Sequence, residues 1–133
     1  MTRSSIPWFV FGMCYAPGVL MIAMGIPLYG RRVPPNMFYG VRLESTLADE
    51  SVWYDINARA GRDGVVFGAF YLLVVTAALV FGRSWSIAFR VLGPMAVLVV
   101  GLAIETIVLA VAAGRLLSER QSASAHERIP KVR

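Results

Sequence analysis

The side chains best suited to chemistry lie in one short polar passage, NMFYGVRLESTLADESVW, residues 36–53. It combines amide, guanidinium, carboxylate, hydroxyl and indole groups, which can fix a backbone or bind a polar ligand. The other strong candidate is Glu105, the one charge in a long apolar run. A carboxylate in a bilayer is expected to be paired, protonated or functional. We expect Glu105 either to bond within the protein, to Thr76, Tyr71 or Tyr15, or to have a function. In the second case it receives a cationic group or pairs with Arg42 or Arg59.

Other kinds of chemistry lack the residues they need. The chain has one cysteine, Cys14, and one histidine, His126, so a metal site has no set of ligands. The sequence has no phosphate-binding loop and no serine–histidine pair, and Glu105 with one arginine is too small a set to name a reaction. We therefore expect a protein that is not an enzyme and that uses no metal or cofactor.

The elements that position these residues are apolar and long. The chain of 133 residues is 57% hydrophobic, with a mean hydropathy of +0.63. Its apolar residues form three runs, each near the ~20 residues that span a bilayer as a helix. We predict transmembrane helices at about 6–29, 64–82 and 91–113, joined by a polar loop at 30–63. The fold class is an all-α membrane protein, with residues 1–113 forming one three-helix module.

A short amphipathic helix is predicted inside the polar loop. Thr46 with Asp49 three residues later suits a helix start, and Gly61 suits a helix end. Between them Val52, Trp53 and Ile56 share one helical face. We expect this helix to lie at the membrane surface, between the first and second spans, with Trp53 near the lipid headgroups.

The basic residues predict the orientation in the membrane. Arg31, Arg32, Arg42, Arg59 and Arg62 lie in the polar loop, and five more lie in the tail, residues 114–133; only Arg3, Arg83 and Arg90 fall on the other side. Because basic residues concentrate on the cytoplasmic side, we predict an outside N-terminus and a cytoplasmic tail. The tail has no aromatic residue for base stacking, so we expect contact with membrane lipids and not with nucleic acid.

Small residues at helical spacing suggest close packing between helices. Gly64 and Gly68 form one such pair, and Gly12 and Ala16 form another. Since three helices make a thin bundle, we also expect that a homodimer can form.

The polar passage and its surroundings, PPNMFYGVRLESTLADESVWYDINARAG, resemble the SdpI family of bacterial membrane proteins, here as a single three-span module. The matching residues, in order along the chain, are Asn36, Gly40, Arg42, Thr46, Leu47, Asp49, Glu50, Trp53, Asn57 and Gly61. That family is known for immunity to a secreted killing-factor peptide. The resemblance implies a protein of the bacterial plasma membrane that gives immunity to, or senses, a membrane-active peptide toxin, and that signals to a cytoplasmic regulator.

Seven residues are candidates for binding under this interpretation: Asn36, Gly40, Arg42, Thr46, Trp53, Asn57 and Glu105. Arg42 can hold a lipid phosphate, or it can pair with Glu44 or Asp49 and fix the loop. The alternative function is an accessory or structural subunit of a membrane complex, or a small transporter, in which the passage only locks the helices together.

Overall fold

A computed structural model describes residues 8–127, apart from the side chains of Arg83, His126 and Glu127. Over this range the chain is helical and forms no strand; its helices are α1 (Trp8–Tyr29), α2 (Glu44–Ala48), α3 (Glu50–Phe81) and α4 (Ile87–Glu127), with a 3-10 turn at Gly82–Ser84. α1, α3 and α4 are long and apolar enough to cross a membrane. The predicted all-α membrane fold, with a short helix between the first two spans, is confirmed. The last residues of the predicted tail, from 128 onward, lie outside the described range.

The short helix is shorter than expected and starts at a different residue. α2 ends at Ala48, and Asp49 then adopts an extended backbone and caps α3. Its Oδ1 accepts hydrogen bonds from the backbone N–H groups of Ser51 (2.8 Å) and Val52 (3.2 Å). Bonds from the Ser51 hydroxyl and the Val52 amide lower the pKa of the Asp49 carboxyl. The expected cap at Thr46 is therefore wrong, because Asp49 fills that role for the longer helix.

The first turns of α3 pack inside the protein. Val52, Trp53 and Ile56 are buried, and Val52 and Ile56 form a cluster with Leu109 and Ala113 of α4. The amphipathic face predicted for a surface helix thus covers α4 and the loop. The ring of Trp53, which we expected near the lipid headgroups, is enclosed by protein and is 0% exposed.

α1 and α3 touch through four glycines. Gly25 meets Gly61, and Gly18 meets Gly68, so the two helices run antiparallel. A Cβ added to Gly25 would lie 2.6 Å from the carbonyl oxygen of Gly61, and one added to Gly68 would lie 2.9 Å from that of Gly18. Such contacts leave no room for a side chain and bring the backbones together. Gly61 does not end a helix, as the sequence suggested; it continues α3 at the point of closest approach.

The small-residue pairs expected from the sequence are only partly used. Gly68 lies in the contact with α1, whereas Gly64 has just an ordinary contact with Met21. A Cβ added to Gly12 would meet nothing within 4 Å, and Ala16 is exposed. Each helix therefore uses glycines seven residues apart, a spacing that keeps two helices in contact over several turns.

α3 and α4 form an antiparallel hairpin around the 3-10 turn. Asp63 on α3 and Glu105 on α4 lie side by side. About 18 residues separate each of them from the turn, or roughly 27 Å of helix. This length is close to the ~30 Å hydrocarbon core of a bilayer. The two carboxyl groups therefore lie at one level of the hairpin, and both helices continue well beyond it; α4 stays apolar through Ala113.

An ion-pair network joins the helices on the side of Asp63 and Glu105 that faces away from the turn. Asp55 on α3 accepts bonds from Arg31, just after α1 (2.6 Å), and from Arg120 on α4 (2.7 Å). Arg120 also bonds the Ser51 hydroxyl. Each exposed pair contributes little alone, but one carboxylate here bridges all three long helical segments.

Candidate functional site

The side chain of Asn36 builds the first turn of the polar loop. Its Oδ1 accepts hydrogen bonds from the backbone N–H groups of Phe38 and Tyr39, both at 2.8 Å. Its Nδ2 donates to the carbonyl oxygens of Pro34 (2.8 Å) and Tyr39 (3.2 Å). Asparagine suits this role because its short amide mimics a backbone turn. All of these bonds serve the loop itself.

Gly40 and Asn57 hold the next part of the loop against α3. Gly40 has φ of +109°, and a Cβ there would collide with Oδ1 of Asn57. That oxygen accepts a bond from the Val41 N–H (2.6 Å), while Nδ2 donates to the carbonyl oxygens of Trp53 (3.0 Å) and Val41 (3.4 Å). The Asn57 side chain is only 2% exposed. A glycine is needed because the loop backbone lies directly on this buried amide.

Trp53 and Thr46 complete the attachment. The Trp53 Nε1–H donates to the carbonyl oxygen of Val33 at 2.9 Å. The Thr46 hydroxyl donates to the Val41 carbonyl (2.9 Å) and accepts from the Leu43 N–H (2.9 Å). Both side chains are fully buried. We call Asn36, Gly40, Thr46, Trp53 and Asn57 the loop clamp.

Arg42 lies on the outer face of the loop clamp. Its side chain is exposed and donates to the carbonyl oxygen of Met37. In the described part of the chain it forms no salt bridge, so the expected pairing with Glu44 or Asp49 is not present. It also lines a cavity of about 290 Å³ beside Thr106 and Leu109 of α4. Arg42 is thus the predicted site residue of the loop that keeps donors available to a ligand.

Glu105 lies apart from the other six candidates, on α4. Its Oε1 is buried without a hydrogen-bond partner among the described residues. The neighbouring charged groups are the carboxyl of Asp63 and the guanidinium groups of Arg59 and Arg62. Asp63 itself is held by Arg62 at 2.7 Å and by Arg59 at 3.7 Å. Two carboxyl groups side by side favour a shared proton or a cationic guest.

The partners expected for Glu105 are engaged elsewhere. Tyr15 and Thr76 bond each other through their hydroxyl groups at 2.9 Å. The Tyr71 hydroxyl lies 3.9 Å from the sulfur of Met95. The expectation that one of these three bonds Glu105 is wrong, because they belong to the half of the bundle nearer the turn.

Glu105 and Asp63 line an open cavity of about 410 Å³, which we call the acidic cavity. Met21 of α1, Phe67 of α3 and Leu109 of α4 form apolar walls around the two carboxyl groups. No group of three or more metal-ligating side chains occurs within the described residues. The acidic cavity therefore combines apolar walls with the Glu105 carboxyl group, whose Oε1 has no partner among the described residues, beside an Asp63 that Arg62 already pairs.

Sequence reasoning missed two residues, Asp63 and Asp55. Asp63 could have been found from the sequence, because it and Glu105 lie the same number of residues from the turn between α3 and α4. In an antiparallel hairpin this places them side by side. Asp55 gave no such signal, because its partners Arg31 and Arg120 are distant in the sequence.

Comparison with known families gives one match. The family model described as the SdpI/YfhL protein family matches residues 32–114, which is more than half of the chain. This chain belongs to the SdpI/YfhL family. The match spans the loop clamp, Arg42, Asp63 and Glu105, whereas α1 precedes it. Searches of curated proteins and of solved structures find no match.

Proposed function

We propose that this SdpI-family membrane protein is a non-catalytic immunity or sensor protein for a membrane-active peptide toxin. The observation that carries the proposal is the acidic cavity. The Glu105 carboxyl group, whose Oε1 has no partner among the described residues, suits the cationic group of a peptide, and the apolar walls suit the peptide's hydrophobic side chains. Family membership supports the same function.

The loop clamp supports a second part of the proposal, which is signalling through the loop. Because the clamp fixes the loop backbone on α3, it presents Met37 and Phe38 outward, and Phe38 is 92% exposed. We propose that these side chains and Arg42 contact a cytoplasmic regulator. This assumes a bacterial plasma membrane with the N-terminus outside and the C-terminus in the cytoplasm, which the distribution of basic residues favours.

A specific observation also favours the alternative, an accessory or structural subunit of a membrane complex, or a small transporter. The polar groups of the loop clamp are satisfied within the protein, so its residues are accounted for by folding alone. Broad apolar faces of α1 and α4 are exposed and are available to lipid, to a second copy or to a larger partner.

The test is survival of a sensitive bacterium that expresses the protein and is challenged with membrane-active peptide toxins. We expect the wild type to protect and Glu105→Gln to lose about tenfold or more of the protection, because the variant removes the carboxyl group that faces a cationic group without a basic partner of its own. Arg42→Ala tests the loop independently of the acidic cavity. It should leave direct protection intact and reduce any response that depends on the regulator.

Glu44→Gln is the matched control, since it removes an exposed carboxylate on α2, away from the acidic cavity. The amount of each variant in the membrane fraction is measured alongside survival. If no inserted version protects against any peptide, the accessory-subunit function is favoured. Equal protection by wild type and Glu105→Gln would remove the acidic cavity from the mechanism.

A further inference from the structure

A second groove lies between α3 and α4, on a face that the loop clamp and the acidic cavity do not use. It encloses about 480 Å³. Ile107, Val108 and Val111 of α4 form its apolar wall, and Arg59 of α3 and Arg115 of α4 lie at its polar end. We call it the arginine groove.

Helix geometry brings the two arginines together. Side chains lean toward the N-terminus of their own helix, and α3 and α4 run in opposite directions. Arg115 therefore leans back toward the apolar part of the bundle, while the Arg59 Nε stays 3.7 Å from Asp63, one turn further along α3. Both arginines line the same groove, so one phosphate can contact both guanidinium groups.

Both arginines keep donors for a ligand. Arg59 has only a loose pairing with Asp63, at 3.7 Å, because Arg62 holds that carboxylate at 2.7 Å. Across residues 8–125, where side chains are described, no carboxylate lies within 4 Å of a charged nitrogen of Arg115. Glu119 also lines the groove. The groove itself therefore carries a net charge of about one positive unit, which suits a single phosphodiester.

The apolar wall needs a cover of its own. Ile107 is 64% exposed and Val111 is 49% exposed. Exposed apolar side chains next to a charged end are stabilised by contact with a hydrocarbon chain. Along α4 the groove is lined first by isoleucine and valine and, about two turns later, by arginine. A phospholipid has the same order of groups, with its acyl chains at one end and its phosphate at the other.

We propose that the arginine groove binds one singly anionic phospholipid, with its phosphate between Arg59 and Arg115 and an acyl chain along Ile107 and Val111. The charge complementarity and the apolar wall together select this occupant. The proposal does not depend on toxin recognition, because the groove shares no residue with the acidic cavity.

The test is native mass spectrometry of the full chain in a neutral detergent, titrated with phosphatidylglycerol or with phosphatidylcholine of the same acyl chains. The wild type should retain one phosphatidylglycerol at concentrations where phosphatidylcholine dissociates. Arg115→Gln and Arg59→Gln should each weaken this binding about fivefold, since a basic residue contributes about 1 kcal/mol to anionic lipid contact. Arg115→Lys should keep most of the affinity.

Arg32→Gln is the control, because it removes one exposed arginine from the same end of the molecule but outside the groove. It should bind phosphatidylglycerol as the wild type does. Helical content and elution volume establish that each variant is folded. Equal binding of the two lipids would overturn the proposal, and so would an equal loss in Arg32→Gln and Arg115→Gln or a lipid-free dimer that occludes the groove.

Discussion

The loop clamp and the acidic cavity treat their polar side chains in opposite ways. In the clamp, Asn36 and Asn57 bond loop backbone groups, and Trp53 and Thr46 do the same from buried positions. In the cavity, Glu105 presents a buried oxygen without a partner among the described residues, beside a second carboxyl group. Satisfied buried polar groups specify a structure, whereas unsatisfied ones indicate a ligand or a proton. The bonds of the clamp are those of a folding element, and under the proposed function recognition belongs to the neighbourhood of Glu105.

The largest expected effect comes from removing the centre of the clamp. Asn57→Ala leaves the Val41 N–H without its partner and removes the amide's donations to the carbonyl oxygens of Trp53 and Val41, of which the second keeps the Thr46 hydroxyl. We expect a loss of about 3 kcal/mol in the free energy of unfolding. Cys14 is buried and is the only cysteine, so labelling by a thiol-reactive dye reports global unfolding. Trypsin cleavage after Arg42 reports release of the loop.

Met37→Ala is the control for Asn57→Ala, because it shortens an exposed side chain of the same loop. It should leave both measurements near wild type. If Asn57→Ala is as stable as the wild type and no more sensitive to trypsin, the loop does not depend on the clamp.

A smaller loss is expected from the backbone contact at Gly40. Gly40→Ala forces a side chain into a positive φ and against the Asn57 amide, at a cost of about 2 kcal/mol. Gly114→Ala is the matched control: nothing lies within 4 Å of its added Cβ, and alanine favours a helix interior by up to about 1 kcal/mol. The two variants should move the unfolding midpoint in opposite directions, and equal midpoints would contradict the tight fit at Gly40.

The smallest effect on stability is expected in the acidic cavity. Glu105→Gln removes one of two adjacent carboxyl groups, and the new amide can donate a hydrogen bond to Asp63. We therefore expect the free energy of unfolding to change by less than about 1 kcal/mol. The Cys14 labelling assay measures this change. A loss as large as that of Asn57→Ala would group Glu105 with the folding residues and erase the contrast between the two regions.

The sequence predicts the long helices well, because uninterrupted apolar runs of this length have few alternatives. It fails at the start of α3. An amphipathic pattern over residues 52–60 fits a separate surface helix as well as an extension of the next span, and Gly61 resembles a helix end. Only the packing of Gly61 against Gly25 distinguishes the two, and that contact is not encoded in either local segment.

The sequence predicts which residues belong to the site, but not which of them contact each other. Asn36 and Gly40 are recognisable as turn residues from the sequence. Their attachment to Asn57 and Trp53 is not, because it requires the loop to fold back on α3. Glu105 stands out by its charge alone, but its depth and its neighbour Asp63 follow from the register of the α3–α4 hairpin, which the turn at Gly82–Ser84 sets.

The uninterrupted length of α3 has a mechanical consequence. Its 32 residues form a rod of roughly 48 Å with no proline, held near its middle by α1 at Gly61 and Gly68. A stiff rod pivots as one piece, so a tilt of about 5° about its centre shifts each end by roughly 2 Å. A displacement at the turn between α3 and α4 thus moves the loop at the opposite end of α3, without any helix having to unwind.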